Sequence, residues 1–94
     1  VILWALGRVP NTEGLGLADL GVSLNEKGAI AVDADSRTSV PSIFAVGDVT
    51  DRVQLTPVAI REGHSFADRQ FGGKSWRVDY SAIPSAVFSN PPLG

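Results

Sequence analysis

Two positions carry the strongest case for chemistry. Asp48 closes the apolar run Ile43-Phe44-Ala45-Val46-Gly47, and Thr56-Pro57 has the form of a helix start eight residues further on. In open α/β sheets ligands bind beyond the carboxyl ends of the strands, where an Asp can accept hydrogen bonds from the hydroxyls of a sugar or polyol. A helix start offers unpaired N–H groups and the positive end of a dipole to partial negative charge. At this spacing the acid and the helix end fall on one rim, where one could hold a cofactor's hydroxyls and the other its electron-rich end. The plainer alternative for Asp48 is a turn residue after glycine, and every helix has an amino end.

Two other patterns are set aside. Gly14-Leu15-Gly16-Leu17-Ala18-Asp19 has the first two glycines of a dinucleotide fingerprint but Asp19 in place of the third. It does not pass from a strand into a long helix, so its glycines read as loop and capping residues. His64 lies inside the expected helix with no second His and no nucleophile or carboxylate arranged as a triad, which favours a solvated or interfacial histidine.

The elements that must position these residues follow from pattern. Val1-Ile2-Leu3-Trp4-Ala5-Leu6 reads as a fully buried strand of parallel-sheet type. Gly7-Arg8-Val9-Pro10-Asn11 is a breaker cluster, and Leu15, Leu17 and Leu20 before Gly21 suggest one short helical turn capped by glycine. Val22-Ser23-Leu24 and Ala29-Ile30-Ala31-Val32-Asp33 flank Asn25-Glu26-Lys27-Gly28, the plan of a β-hairpin with Ile30 and Val32 on one face. A polar stretch ending at Pro41 leads into Ile43 to Val46, a short buried strand.

The helix should start with Thr56 capping and Pro57 first, and run to about Phe71. Ala59, Gly63, Phe66, Ala67 and Gln70 or Phe71 recur at helical spacing, the small Ala59 and Gly63 form a shallow stripe four apart, and Gly63 would admit another element at close approach. Gly72-Gly73 ends it. Lys74 to Tyr80 reads as an exposed connector before a last strand-like run, Ala86 to Ser89, and a Pro-Pro turn. A buried strand at one end and a strand-like run at the other suggest an internal piece of a longer protein.

Composition narrows the classes. The 94 residues carry 8 Lys+Arg against 10 Asp+Glu, a net charge of −2, with the basic residues scattered along the chain. That gives no electrostatic reason to expect nucleic acid or an anionic membrane. With no Cys and one His, a thiolate metal site, a disulfide and a cysteine nucleophile are excluded from these residues. No apolar run approaches the ~20 residues of a membrane span, and no charged lead precedes an apolar stretch, so a cytoplasmic protein is expected.

Four runs together resemble the pyridine nucleotide-disulfide oxidoreductases, with glutathione reductase as the nearest branch. They are Leu6-Gly7-Arg8-Val9-Pro10-Asn11, Ile43-Phe44-Ala45-Val46-Gly47-Asp48-Val49-Thr50, Leu55-Thr56-Pro57-Val58-Ala59-Ile60 and Ala86-Val87-Phe88-Ser89-Asn90-Pro91-Pro92-Leu93-Gly94. The Gly-Asp segment is shared by many flavoproteins, whereas the second pair of runs is narrower. The resemblance implies an α/β fragment: residues 1–10 end an NADPH-binding domain, 11–81 complete an FAD-binding domain with the hairpin and the long helix, and 82–94 begin an α+β dimer-interface domain. It implies FAD and NADPH as cofactors, glutathione disulfide as substrate and a homodimeric parent enzyme.

By the same resemblance Asp48 would bind the ribityl chain of FAD, and Thr56 with its helix would face the pyrimidine side of the flavin. Gly7, Gln54 and Val87 would lie near the nicotinamide or its path, and Arg8 near the junction of the two cofactor sites. The family's redox-active cysteine pair, its His–Glu acid/base pair and its glycine-rich fingerprints have no counterpart in these residues. No catalytic or metal-binding residue is therefore expected here, and the segment alone should neither reduce a disulfide nor hold FAD tightly. Trypanothione reductase shares the Gly-Asp-Val-Thr and Leu-Thr-Pro runs. A flavoprotein without a redox disulfide and a non-catalytic binding module remain as other classes.

Overall fold

The computed structural model describes residues 1–84, 86 and 89–94. Among them the regular elements are one 3₁₀ turn, Gly47–Thr50, and one α-helix, α1, Thr56–Gln70. No strand forms among the described residues, and the pairing of extended segments reduces to two isolated antiparallel bridges, Leu24 with Ile30 and Arg37 with Phe44.

The chain does reverse where the hairpin was expected. The Asn25 side-chain oxygen accepts from the N–H groups of Lys27 and Ala29 at 2.9 and 3.0 Å, and Gly28 takes the positive φ of 82° that the turn needs. The returning arm also turns to other partners, which stops a ladder from growing. Ile30 N–H donates to Val49 O at 2.9 Å, and Asp33 N–H donates to Arg37 O at 3.0 Å. Ile43 to Val46 behaves similarly. Thr38 N–H bonds Ile43 O and Ala45 N–H bonds Ser36 O, enough to hold the run extended without a strand.

These crossings gather the apolar core. Val22, Ile30 and Ala45 are buried, with Leu17, Val32, Val40, Ile43 and Val49 packed against them. Ile30 and Val32 thus share a face, as the alternation predicts. Residues 1–6, expected as a buried strand, are exposed throughout and enter no strand. Their extension helps explain a radius of gyration of 15.7 Å, against about 12 Å for a compact chain of this length.

α1 ends as expected, with Gly73 at φ 68° and the N–H groups of Gly72 and Lys74 both reaching Asp68 O. Its start differs. Leu55 occupies the cap position in an extended conformation without a side-chain bond, and Thr56 is already helical rather than capping. The buried residues are Val58, Glu62 and Ser65, one helical face rotated from the expected small-residue stripe. Close approach occurs not at Gly63, whose missing Cβ would meet nothing within 4 Å, but at Gly47, where a Cβ would lie 3.4 Å from Ala59 Cβ.

The connector after α1 is also more engaged than its polarity suggests. Ser65 Oγ donates to Trp76 O at 2.8 Å, Trp76 Nε1 donates to Asp68 Oδ2 at 2.7 Å, and the Tyr80 hydroxyl donates to Glu62 Oε2 at 2.7 Å. The basic side chains that looked scattered converge here, since Arg69 and Arg77 both pair with Asp35 Oδ1. Among the described residues no helix is long and apolar enough to cross a membrane.

Candidate functional site

The site begins at Gly47. Its φ of 83° is a left-handed conformation that glycine adopts without strain, and it lets the chain leave the extended Ile43 to Val46 run and wind directly into the 3₁₀ turn. Thr50 Oγ1 donates to Gly47 O at 2.8 Å, and Asp51 N–H donates to Asp48 O at 3.0 Å, so the turn is tied at both ends. Asp48 sits between these ties with its side chain exposed. The packing of Gly47 against Ala59 fixes the turn to the first two turns of α1.

Beside Asp48 lies a cavity of about 430 Å³ lined by Arg8, Val9, Pro10, Asn11, Asp48, Val49 and Gln54. The fold therefore brings together three of the six expected site residues, Arg8, Asp48 and Gln54, from segments more than forty positions apart at their widest. Gln54 is anchored by its Nε2, which donates to Asp51 Oδ1 at 2.8 Å. Gly7 adjoins this wall without lining it. Thr56 stands two residues beyond Gln54 and is exposed, outside the lining. Val87 lies outside the described residues.

At the head of α1 no side chain caps the helix and no acidic residue occupies the first turn. Pro57 has no N–H, so the free donors of that turn are the backbone N–H groups of Thr56 and Val58. The cavity supplies a carboxylate, a guanidinium and an amide. That set suits a polyhydroxylated, partly anionic molecule: the acid accepts from hydroxyls, while the arginine meets negative charge. Its volume is within the range of small-molecule sites, about 300–1,000 Å³. The residues present thus fit one portion of a dinucleotide such as FAD. The head of α1 does not share this lining, because Leu55, Pro57 and Val58 face a separate cavity with Val78, Ile83 and Pro84, so the single rim expected for the acid and the helix start is not formed by one cavity.

Sequence reasoning missed a second group, on the other flank of α1. Arg52 Nη2 donates to Asp33 O at 2.8 Å and to Val32 O at 3.3 Å, while its Nη1 donates to the Tyr80 hydroxyl at 3.3 Å. Tyr80 in turn donates to Glu62, whose Oε1 is buried without a partner. Burial, then the bond to the Glu62 carboxylate, pushes the Tyr80 phenol above its ordinary value. The Arg77 hydrogen bond holds the Asp35 carboxyl below its usual range, and the Trp76 indole N–H does the same for Asp68. No local motif announces these contacts. The one available hint was a glutamate at a position that the helix turns inward.

His64 has an exposed side chain 3.7 Å from Asp68 Oδ2 and an edge contact with Trp76. That agrees with a solvated histidine rather than a member of a triad.

Comparison with known proteins gives the family. Residues 1–63 match the pyridine nucleotide-disulphide oxidoreductase family. A glutathione reductase of Burkholderia cepacia is 58% identical over 90 residues, 96% of this chain and 20% of its own length. A trypanothione reductase of Trypanosoma congolense is 54% identical over 94 residues, all of this chain and 19% of its own. Among solved structures, the HOCl-induced flavoprotein disulfide reductase RclA from Escherichia coli superposes with a TM-score of 0.87 at 34% identity, covering 94% of this chain and 20% of that one. The chain thus spans about a fifth of the length of the curated relatives it matches. By the family match and the identity of these relatives, the chain belongs to the pyridine nucleotide-disulphide oxidoreductases.

Proposed function

We propose that these residues are the cofactor-binding segment of a longer NADPH-dependent flavin disulfide reductase acting on glutathione disulfide. The observation that carries the reading is the meeting of Arg8, Asp48 and Gln54 at one cavity, in a chain 58% identical to a glutathione reductase. When bound, FAD supplies the two-electron carrier between NADPH and a disulfide. Asp48 accepts from hydroxyls of the ribityl chain and so fixes the flavin's reach along the rim. The first turn of α1, with Thr56 and Val58 N–H groups free, faces the pyrimidine side. A helix end there favours negative charge on the ring by about 0.3–1 kcal/mol.

Gly7 and Gln54 border the nicotinamide side, and Arg8 stands where the two cofactor sites join. In this reading residues 1–10 close the NADPH-binding domain, 11–81 complete the FAD-binding domain, and 82–94 open the dimer-interface domain of a homodimer. The disulfide-reducing cysteines belong to the remainder of the longer protein, since this chain has none.

A second reading, trypanothione reductase, is favoured by the 54% identity that extends over all 94 residues. The experiment that separates them is steady-state NADPH oxidation by the longer purified protein with glutathione disulfide or trypanothione disulfide. Higher kcat/KM with glutathione disulfide is expected. Preference for the polyamine conjugate would select the second reading, and a protein without flavin absorbance would remove both.

A further inference from the structure

We infer that Arg52, Tyr80 and Glu62 form a positioning brace that sets the Asp48 turn and the head of α1 relative to each other, and through them the seat of the flavin. The inference rests on the flavin reading above. Its starting point is where Arg52 stands: four residues after Asp48 and four before Thr56, midway along the linker that joins the two contacts. The contact of Gly47 with Ala59 holds the two elements at one point, and a second tie at Arg52 sets their relative orientation.

Arg52 is pinned on two sides. One guanidinium nitrogen donates to the carbonyls of Val32 and Asp33, the segment that follows the buried Ile30. The other donates to the Tyr80 hydroxyl, with the guanidinium 5.6 Å from the centre of the Tyr80 ring. Tyr80 passes the tie to α1 by donating to Glu62 Oε2 at 2.7 Å. The hydroxyl is used in both directions, as acceptor from the cation and donor to the carboxylate, which fixes its proton on the Glu62 side.

Glu62 is 3% exposed and its Oε1 has no partner, so among the described residues the Tyr80 hydroxyl is the one donor to this buried carboxylate. Removing it would leave a buried charged group unbonded, a strongly unfavourable state. The helix is rigid between Thr56 and Glu62, so a tie at its second turn fixes its amino end. The polar groups thus anchor the linker to both the core segment and the helix, and none of the three lines the cavity beside Asp48. Their effect on a cofactor is indirect.

The test uses the longer flavin-bearing protein with Arg52→Met, a substitution at an exposed side chain. The FAD dissociation constant should rise about tenfold, the scale of one lost charge-assisted hydrogen bond. The flavin midpoint potential should move to more negative values, because the positive end of α1 is no longer held in place. The flavin-free melting temperature should hardly move. Arg52→Lys, which keeps the charge and one donor at a time, should recover part of the affinity. Tyr80→Phe alone risks misfolding through the stranded Glu62. The double variant Glu62→Met with Tyr80→Phe removes both partners and should fold while still binding FAD more weakly.

Wild-type affinity and potential in both Arg52→Met and the double variant would overturn the inference. So would a lowered melting temperature with unchanged affinity and potential, which would assign the three residues to stability alone. A wild-type protein that purifies without flavin absorbance and does not take up FAD would instead sink the flavin reading, and the brace with it.

Discussion

Residues 1–6 and the cluster around Ile30 are equally apolar and have opposite surroundings. Ile2 and Leu3 are about nine-tenths exposed, whereas Val22, Ile30 and Ala45 are buried. The difference lies in partners. Ile30 is crossed by Leu24 on one side and bonded to Val49 on the other, while residues 1–6 have no such crossing. An apolar run states a demand for neighbours; burial follows only where other segments meet it. Where those segments are polar at the crossing, the fold closes on hydrogen bonds. Thr12, Ser36, Thr38, Thr50, Glu62 and Ser65 are buried alongside a small apolar core; Thr12, Ser36, Glu62 and Ser65 are bonded to chain distant from their own positions, and Thr38 and Thr50 within their own turns.

A matched pair of truncations in the longer protein tests this difference directly. Ile30→Ala should cost about 2–5 kcal/mol by denaturant unfolding, the range for emptying a buried aliphatic site. Leu3→Ala should cost a similar amount if residues 1–6 form the buried strand expected from their sequence, with neighbours from the remaining chain. A Leu3→Ala change near zero would show that the run stays uncovered in the longer protein and would end its reading as a strand.

An open side chain behaves differently from a covered one. Asp48 is exposed on its cavity, so Asp48→Ala should leave unfolding of the flavin-free protein nearly unchanged. FAD binding by fluorescence titration should weaken roughly ten- to hundredfold, the worth of about 1.5–3 kcal/mol for a hydrogen bond to a charged group. Unaltered binding would remove Asp48 from the site.

How much of this was legible beforehand depended on the range of the interaction. Asn25 and Gly28 marked the reversal, Pro57 the head of α1 and Gly72-Gly73 its end, because each signal acts within a few residues. The cap falls at Leu55 rather than Thr56 because Leu55 carries the extended backbone and Thr56 is already helical. None of the strands expected over 1–6, 22–24, 29–33 and 43–46 formed among the described residues, since a ladder needs consecutive pairings and the extended segments change partners after a single bridge. Arg52 with Tyr80 and Asp35 with Arg77 pair across 28 and 42 positions, beyond any local rule. At the candidate site, Asp48 was legible as an acid closing an apolar run, though it sits in a 3₁₀ turn rather than at a strand end, and its meeting with Arg8 required the whole path of the chain between them.

A smaller effect is expected where backbone rather than side chain distinguishes the two kinds of surroundings. Gly47→Ala places a Cβ against Ala59 in a left-handed conformation, which costs about 1–2 kcal/mol for an L-residue. Gly14 has φ 78° as well but open space around it, so Gly14→Ala carries the conformational strain without the contact. The difference between the two unfolding free energies isolates the close approach of the turn to α1. Equal losses would mean that Ala59 yields freely and that the turn is not fixed through this contact.

The smallest effect is electrostatic and depends on pH. Asp35 accepts from both Arg69 and Arg77, and the Arg77 hydrogen bond holds its carboxyl below the value of an unfolded chain. A carboxyl lowered on folding contributes stability above its unfolded pKa of about 3.9. That contribution disappears as pH falls through the lower folded value. Wild type and Asp35→Asn should therefore differ in unfolding free energy at pH 6 and converge on acidification below about pH 4. Tyr80 works in the opposite direction: its raised phenol contributes below pH 10 and loses that contribution as the pH climbs further. A difference between wild type and Asp35→Asn that persists unchanged at low pH would mean that the asparagine alters packing, not charge, and that the convergence of Arg69 and Arg77 on this acid contributes nothing electrostatic to the fold.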